Sequence, residues 1–210
     1  MRRMGAVAGL VLLLSGPASA QVLPPQGGPS VMPAIPPPAM AMPKPGAAER
    51  RRAELDQLLD ALAKAPDEAT AAPLQARIQA LWAEGGTPAV GLLLRKGLRE
   101  LAANATEEAV EDMDAAITLQ PDFAESWVLR SQALSAAGDR RAAAADLREA
   151  LRLEPRHFGA LLALSELQEE AGDLNGALRS MQAALRIHPH LPGGAQRARE
   201  LRRRALGDAT

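Results

Sequence analysis

His157, His188 and His190 are the only histidines in this chain of 210 residues, and cysteine is absent. Zinc needs three or four imidazole, thiolate or carboxylate ligands drawn together, and a nucleophile needs a base beside it. Three histidines, two of them flanking Pro189, supply neither arrangement. No HExxH, GxxxxGK, GxGxxG or seryl nucleophile pattern occurs. His188 and His190 therefore read as turn residues. Glu107, Glu108, Glu111, Asp112 and Asp114 crowd one helix start, where carboxylates complement the helix dipole; they read as a solvated face rather than a cation site. Met32, Met40 and Met42 carry thioethers that suit Cu(I), but without a neighbouring histidine or a repeated spacing. The expectation is no catalytic residue, no metal and no cofactor.

Lys and Arg total 24 against 25 acids, a balance that argues against a general nucleic-acid or membrane-surface binder. Aromatic residues make up only 2% of the chain, so a core must be built from Leu, Ala, Ile and Val, which suits closely packed helices. Residues 1–20 read as a secretory signal: Arg2-Arg3, an apolar run from Gly5 to Leu14, Pro17, then Ala18-Ser19-Ala20 as the cleavage site. The run falls well short of the ~20 residues that span a bilayer. The expected product starts at Gln21 with no transmembrane segment, in the periplasm or, alternatively, secreted.

Residues 21–47 hold nine of the seventeen prolines and read as an extended tether, or as a proline-rich ligand in its own right. At residues 48–88 a helical hairpin is expected. Its first helix carries Leu55, Leu58, Leu59 and Leu62 on one stripe, with Arg50-Arg51-Arg52 as a solvated or partner-contacting start. Its second carries Leu74, Ile78, Leu81 and Trp82, after a connection bracketed by Pro66 and Pro73. This hairpin reads as a degenerate unit capping the N-terminal end of a repeat array that begins near residue 90.

Within that array Pro121, Pro155 and Pro189 recur at 34-residue intervals, each closing the same phrase, such as Ala150-Leu151-x-Leu153-x-Pro155. Gly138-Asp139 and Gly172-Asp173 keep the same interval, as turn and helix cap, with Asn104 and Thr106 in the corresponding stretch of the first unit. Units at 90–123, 124–157 and 158–191 share a large residue at the fourth position (Leu93, Trp127, Leu161) and small residues at the eighth, twentieth and twenty-seventh. Trp127 is thus expected to be packed, and residues 195–206 to form an arginine-rich capping helix. The pattern resembles the tetratricopeptide repeat, and phrases such as Pro121-Asp-Phe-Ala-Glu-Ser-Trp127 resemble a group of exported bacterial proteins with this repeat. The resemblance implies an all-α, right-handed solenoid of helix-turn-helix units whose first helices line a concave groove.

On that reading the groove would be formed by Leu94, Leu98, Glu125, Val128, Gln132, Ser135, Leu162, Glu166 and Glu169, with Gly91, Leu101 and Gly159 on the same stripe. Family members that hold a peptide's terminal carboxylate place Lys, Asn and Arg there; the matching positions here carry none of these. The implied role is a non-enzymatic adaptor for a protein or peptide of the cell envelope, with self-association into a homo-oligomer as the alternative and an enzyme or cofactor carrier ranked behind both.

Overall fold

A computed structural model describes residues 46–207, and every regular element among them is an α-helix. The signal at residues 1–20, and the tether at 21–47 apart from its last two residues, lie outside the described residues. The helices are α1 (Ala47–Ala63), α2 (Glu68–Ala83), α3 (Pro88–Ala102), α4 (Thr106–Leu119), α5 (Ala124–Ala136), α6 (Arg140–Leu153), α7 (Phe158–Glu170), α8 (Leu174–Ile187) and α9 (Gly194–Leu206).

Helices α3 to α8 make three hairpins, α3–α4, α5–α6 and α7–α8, and each meets the next through α4 on α5, α6 on α7 and α8 on α9. This is an all-α repeat solenoid. Its turns follow from local chemistry. Asn104, Gly138 and Gly172 hold φ of 60°, 89° and 79° after the first helix of each unit, a region that glycine and asparagine enter at least cost. Asp139 and Asp173 then accept hydrogen bonds from the Ala142 and Gly176 amides and start α6 and α8. Thr106 does not cap α4: Ala105 holds the cap position, Thr106 is the first helical residue, and no side chain closes that end. At the other ends, Gln120, Glu154 and His188 are pushed out of helical geometry before the recurring prolines.

The small columns let helices touch. Gly97, Ser131 and Ser165 are buried, and so are Ala109, Ala143 and Ala177. A Cβ on Gly97 would lie 3.2 Å from the Ala109 carbonyl oxygen, so the backbones of α3 and α4 approach closely there. A polar column runs beside this one. Lys96 bonds Asp112, and 34 residues on Arg130 bonds Asp146 through two 2.7 Å contacts. Arg130 also reaches Asp114 of the preceding unit, tying the first two units together. In the third unit the pair is replaced by Leu164 and Ser180. Trp127 is only half-buried; its indole N–H donates to the Pro121 carbonyl at 2.9 Å and its face lies beneath the Arg130 guanidinium. The ring is packed, as the large-residue column predicts, but at the edge of the second unit's core, over the turn, where it stays partly exposed.

The N-terminal hairpin departs further from expectation. It does not sit as a cap on the first unit. Leu55, Leu59, Leu62, Ile78, Leu81 and Trp82 share a core with Phe158, Leu161 and Ala184 of the third unit, and α1 packs on α8 while α2 touches α5. Pro73 lies inside α2, not before it; Asp67 starts that helix by accepting from the Thr70 amide. The carbonyl of Ala69 that Pro73 cannot satisfy is on an exposed face, open to water. Gly85 and Gly86 link the hairpin to α3 beneath the Phe123 ring, where a Cβ on Gly85 would stand 2.6 Å from it.

Candidate functional site

The hairpin packs against α5, the start of α7 and α8. Trp82 of α2 stacks on His157, with ring centroids 3.9 Å apart and 11° between planes, and meets Phe158 at 5.0 Å. His157 is held from both sides: Nδ1 accepts from the Ala160 amide at 3.1 Å, capping α7, and Nε2 lies 3.1 Å from a Glu125 oxygen. His188 Nε2 lies 2.8 Å from Gln75 Oε1, and His190 Nε2 donates to the Ala65 carbonyl at 2.8 Å. All three histidines therefore serve one seam, between the hairpin and the second and third units, instead of simply closing turns. Burial, with His190 close by, keeps the His188 imidazole neutral to lower pH than usual; the Glu68 carboxylate opposes this weakly.

Ion pairs complete the seam. Arg52 reaches Glu154, a carboxylate only 4% exposed, at 2.6 Å, and Arg156 of the second unit's turn pairs with Asp60 at 2.7 Å. The start of α1 is thus engaged within the chain, with Arg51 donating to the Gly85 carbonyl. Neither ion pair carries a periodic signal that a sequence reading could have caught.

The nine groove positions fall into distinct environments. Leu94 and Val128 are each 5% exposed, one inside the first unit's core and one inside the second's. An inward stripe also faces the neighbouring helix, and for these two side chains that packing prevails. Leu98 is exposed on α3. Leu162 packs beside both the hairpin core and the α8–α9 core, and Glu125 is taken by His157. Glu169 accepts from Arg197 and Arg204 of α9, so the terminal helix neutralises that end of the stripe. Gln132, Ser135 and Glu166 come together. They line a cavity of about 300 Å³ between α5 and α7, with Ala163, Leu167 and Leu147 as its apolar floor. A second cavity of about 250 Å³ lies under the hairpin edge, where Val128, Glu125 and Gln132 face Trp82 and His157. Among the described residues no group of three or more His, Cys, Asp or Glu is placed to hold a metal ion, and no helix is long and apolar enough to cross a membrane.

Stacked helical hairpins around a trough of hydroxyl, amide, carboxylate and apolar side chains define an α-solenoid repeat protein. A family model for the tetratricopeptide repeat matches residues 124–157, the middle unit. A TPR repeat-containing protein of Rhizobium etli is 30% identical over 87 residues, 41% of this chain and 43% of that protein. The match thus spans less than half of the relative's length. The first TPR of Spaghetti (RPAP3), solved with an HSP90 peptide, superposes with a TM-score of 0.54 at 15% identity, over 57% of this chain and 94% of that one. The Sgt2 TPR domain from Aspergillus fumigatus gives 0.54 at 20% identity, over 58% and 82%. The middle unit thus matches the tetratricopeptide repeat, and the described residues share the fold of these repeat domains.

Proposed function

We propose that this chain is a non-enzymatic interaction scaffold of the bacterial cell envelope, which receives an extended or helical segment of a partner protein in the trough between α5 and α7. One observation carries the reading: Gln132, Ser135 and Glu166 converge over an apolar floor that the hairpin leaves uncovered. The rim's charge is negative at Glu166, while Glu170 beside it is paired with Arg140. The rim therefore suits a segment bearing donors, a lysine, arginine or amide flanked by small apolar residues, and disfavours a terminal carboxylate. The HSP90 peptide held by the Spaghetti repeat domain supports peptide binding as a use of this fold. The signal read at residues 1–20 supports export, and the proline-rich residues 21–47 would give the array reach from an attachment point.

The test is a photo-crosslinking residue at Gln132, followed in cells. The expected result is a specific adduct with an envelope protein, lost in Ser135→Arg and Glu166→Arg variants, and a chain beginning at Gln21 in the periplasmic fraction. Adducts unchanged by both variants would remove the trough from the account.

A further inference from the structure

Helix α9 stands where the first helix of a fourth unit would stand. Gly194, Ala198 and Leu201 take the register of Ala160, Leu164 and Leu167, and Ala198 and Leu201 pack onto α8. Continuing the 34-residue register, Ala195 and Arg199 match Leu161 and Ser165. In α7 that face meets the unit's own second helix, where the Ser165 hydroxyl donates to the Ala177 carbonyl at 2.8 Å. In α9 no second helix follows among the described residues. What remains is a groove of about 430 Å³ between α8 and α9, with Leu185, Ala195 and Ala198 on its floor and Arg186, Arg199 and Arg202 around it. Arg197 and Arg204 are paired with Glu169. Arg186, Arg199 and Arg202 have no ion-pair or hydrogen-bond partner among the described residues.

The complementary surface lies on the first unit of the same array. Glu107, Glu108 and Glu111 are exposed on α4 and, like those arginines, unpaired among the described residues. In register, Glu107 is replaced by Arg141 and Asn175, and Glu111 by Ala145 and Arg179, so only the first unit presents an acidic second helix. Apolar exposure has the same distribution. Among the described residues, the large hydrophobic side chains left exposed are Leu92, Leu98 and Leu119 on the first unit and Leu206 on α9, with none on the units between.

We propose that copies of this chain stack head to tail, the acidic outer face of α4 in one copy seating in the arginine-rimmed groove between α8 and α9 of the next. The occupant packs on α9 as each unit's second helix packs on its first, and opposite charges set its register. Because the two surfaces differ, the contact is heterologous and does not close on itself in a pair, so growth is linear unless a ring closes. This goes beyond the trough between α5 and α7 and leaves it open.

Sedimentation velocity of the full chain tests this, over a range of concentrations at low salt and at ~0.5 M salt, where exposed charges are screened. The expected result is association that grows with concentration and weakens with salt. Glu107→Lys/Glu111→Lys and Arg199→Glu/Arg202→Glu variants should each stay monomeric with unchanged helical circular dichroism, and their equimolar mixture should associate again. A wild-type monomer at every concentration overturns the proposal, as does either variant associating like wild type. Binding of such a monomer to phosphatidylglycerol vesicles, lost in Arg199→Glu/Arg202→Glu, would assign the groove to an anionic surface and overturn it equally.

Discussion

Trp82 and His157 lie face to face, 3.9 Å between ring centroids, and this contact fixes the N-terminal hairpin to the start of α7. Trp82 is 8% exposed and its indole N–H has no partner among the described residues, so the ring contributes through packing. Trp82→Ala should cost about 3–5 kcal/mol in urea unfolding. Trp82→Phe should cost markedly less, since the lost N–H made no bond. Equal losses in the two variants would contradict this packing.

Trp127 should behave differently. It is half-buried, packed on the edge of the second unit's core and held by one hydrogen bond and one guanidinium contact, so Trp127→Ala should cost about 1–2 kcal/mol. Indole fluorescence is a clean readout because the chain has only two tryptophans. A loss as large as that for Trp82→Ala would return Trp127 to the core.

Arg130 and Asp146 form a nearly buried pair, the Asp146 side chain 7% exposed. Asp146 holds the guanidinium firmly in its charged form. Arg130→Met alone should cost about 3 kcal/mol by stranding the carboxylate, whereas Arg130→Met/Asp146→Leu should recover most of that loss. Additive costs in the double variant would mean the pair is not coupled.

His188 sets a pH dependence. Its folded-state pKa is depressed by burial, so the unfolded chain binds the proton more readily. Its contribution to stability is present above the ordinary histidine pKa of about 6.5 and is lost as pH falls through and below it. Between about pH 7 and 5.5, wild-type stability should fall with pH more steeply than that of His188→Gln, measured by urea midpoints. Parallel slopes would place His188 in solvent.

The solenoid was legible because its determinants repeat. Gly138 and Gly172 need positive φ, and Pro121, Pro155 and Pro189 end helices, wherever the chain places them. The hairpin's position was not legible. Its contacts, Arg52 with Glu154, Gln75 with His188 and Ala65 with His190, join residues separated by 102, 113 and 125 positions without any period. The candidate site lay between these cases. A stripe at helical spacing identifies an inward face, yet Leu94 and Val128 spend that face on neighbouring helices while Gln132 and Glu166 do not. Side-chain length offers no warning of that difference, since it depends on how closely the adjacent unit approaches.

The docking of the hairpin over the second and third units is read most directly by nuclear Overhauser contacts of the Trp82 indole in isotope-labelled protein. Cross-peaks are expected from that ring to the imidazole of His157 and to the ring of Phe158, 5.0 Å away by centroid. Cross-peaks to Leu93 or Val90 of α3 instead, with none to His157, would put the hairpin at the N-terminal end of the array and contradict it.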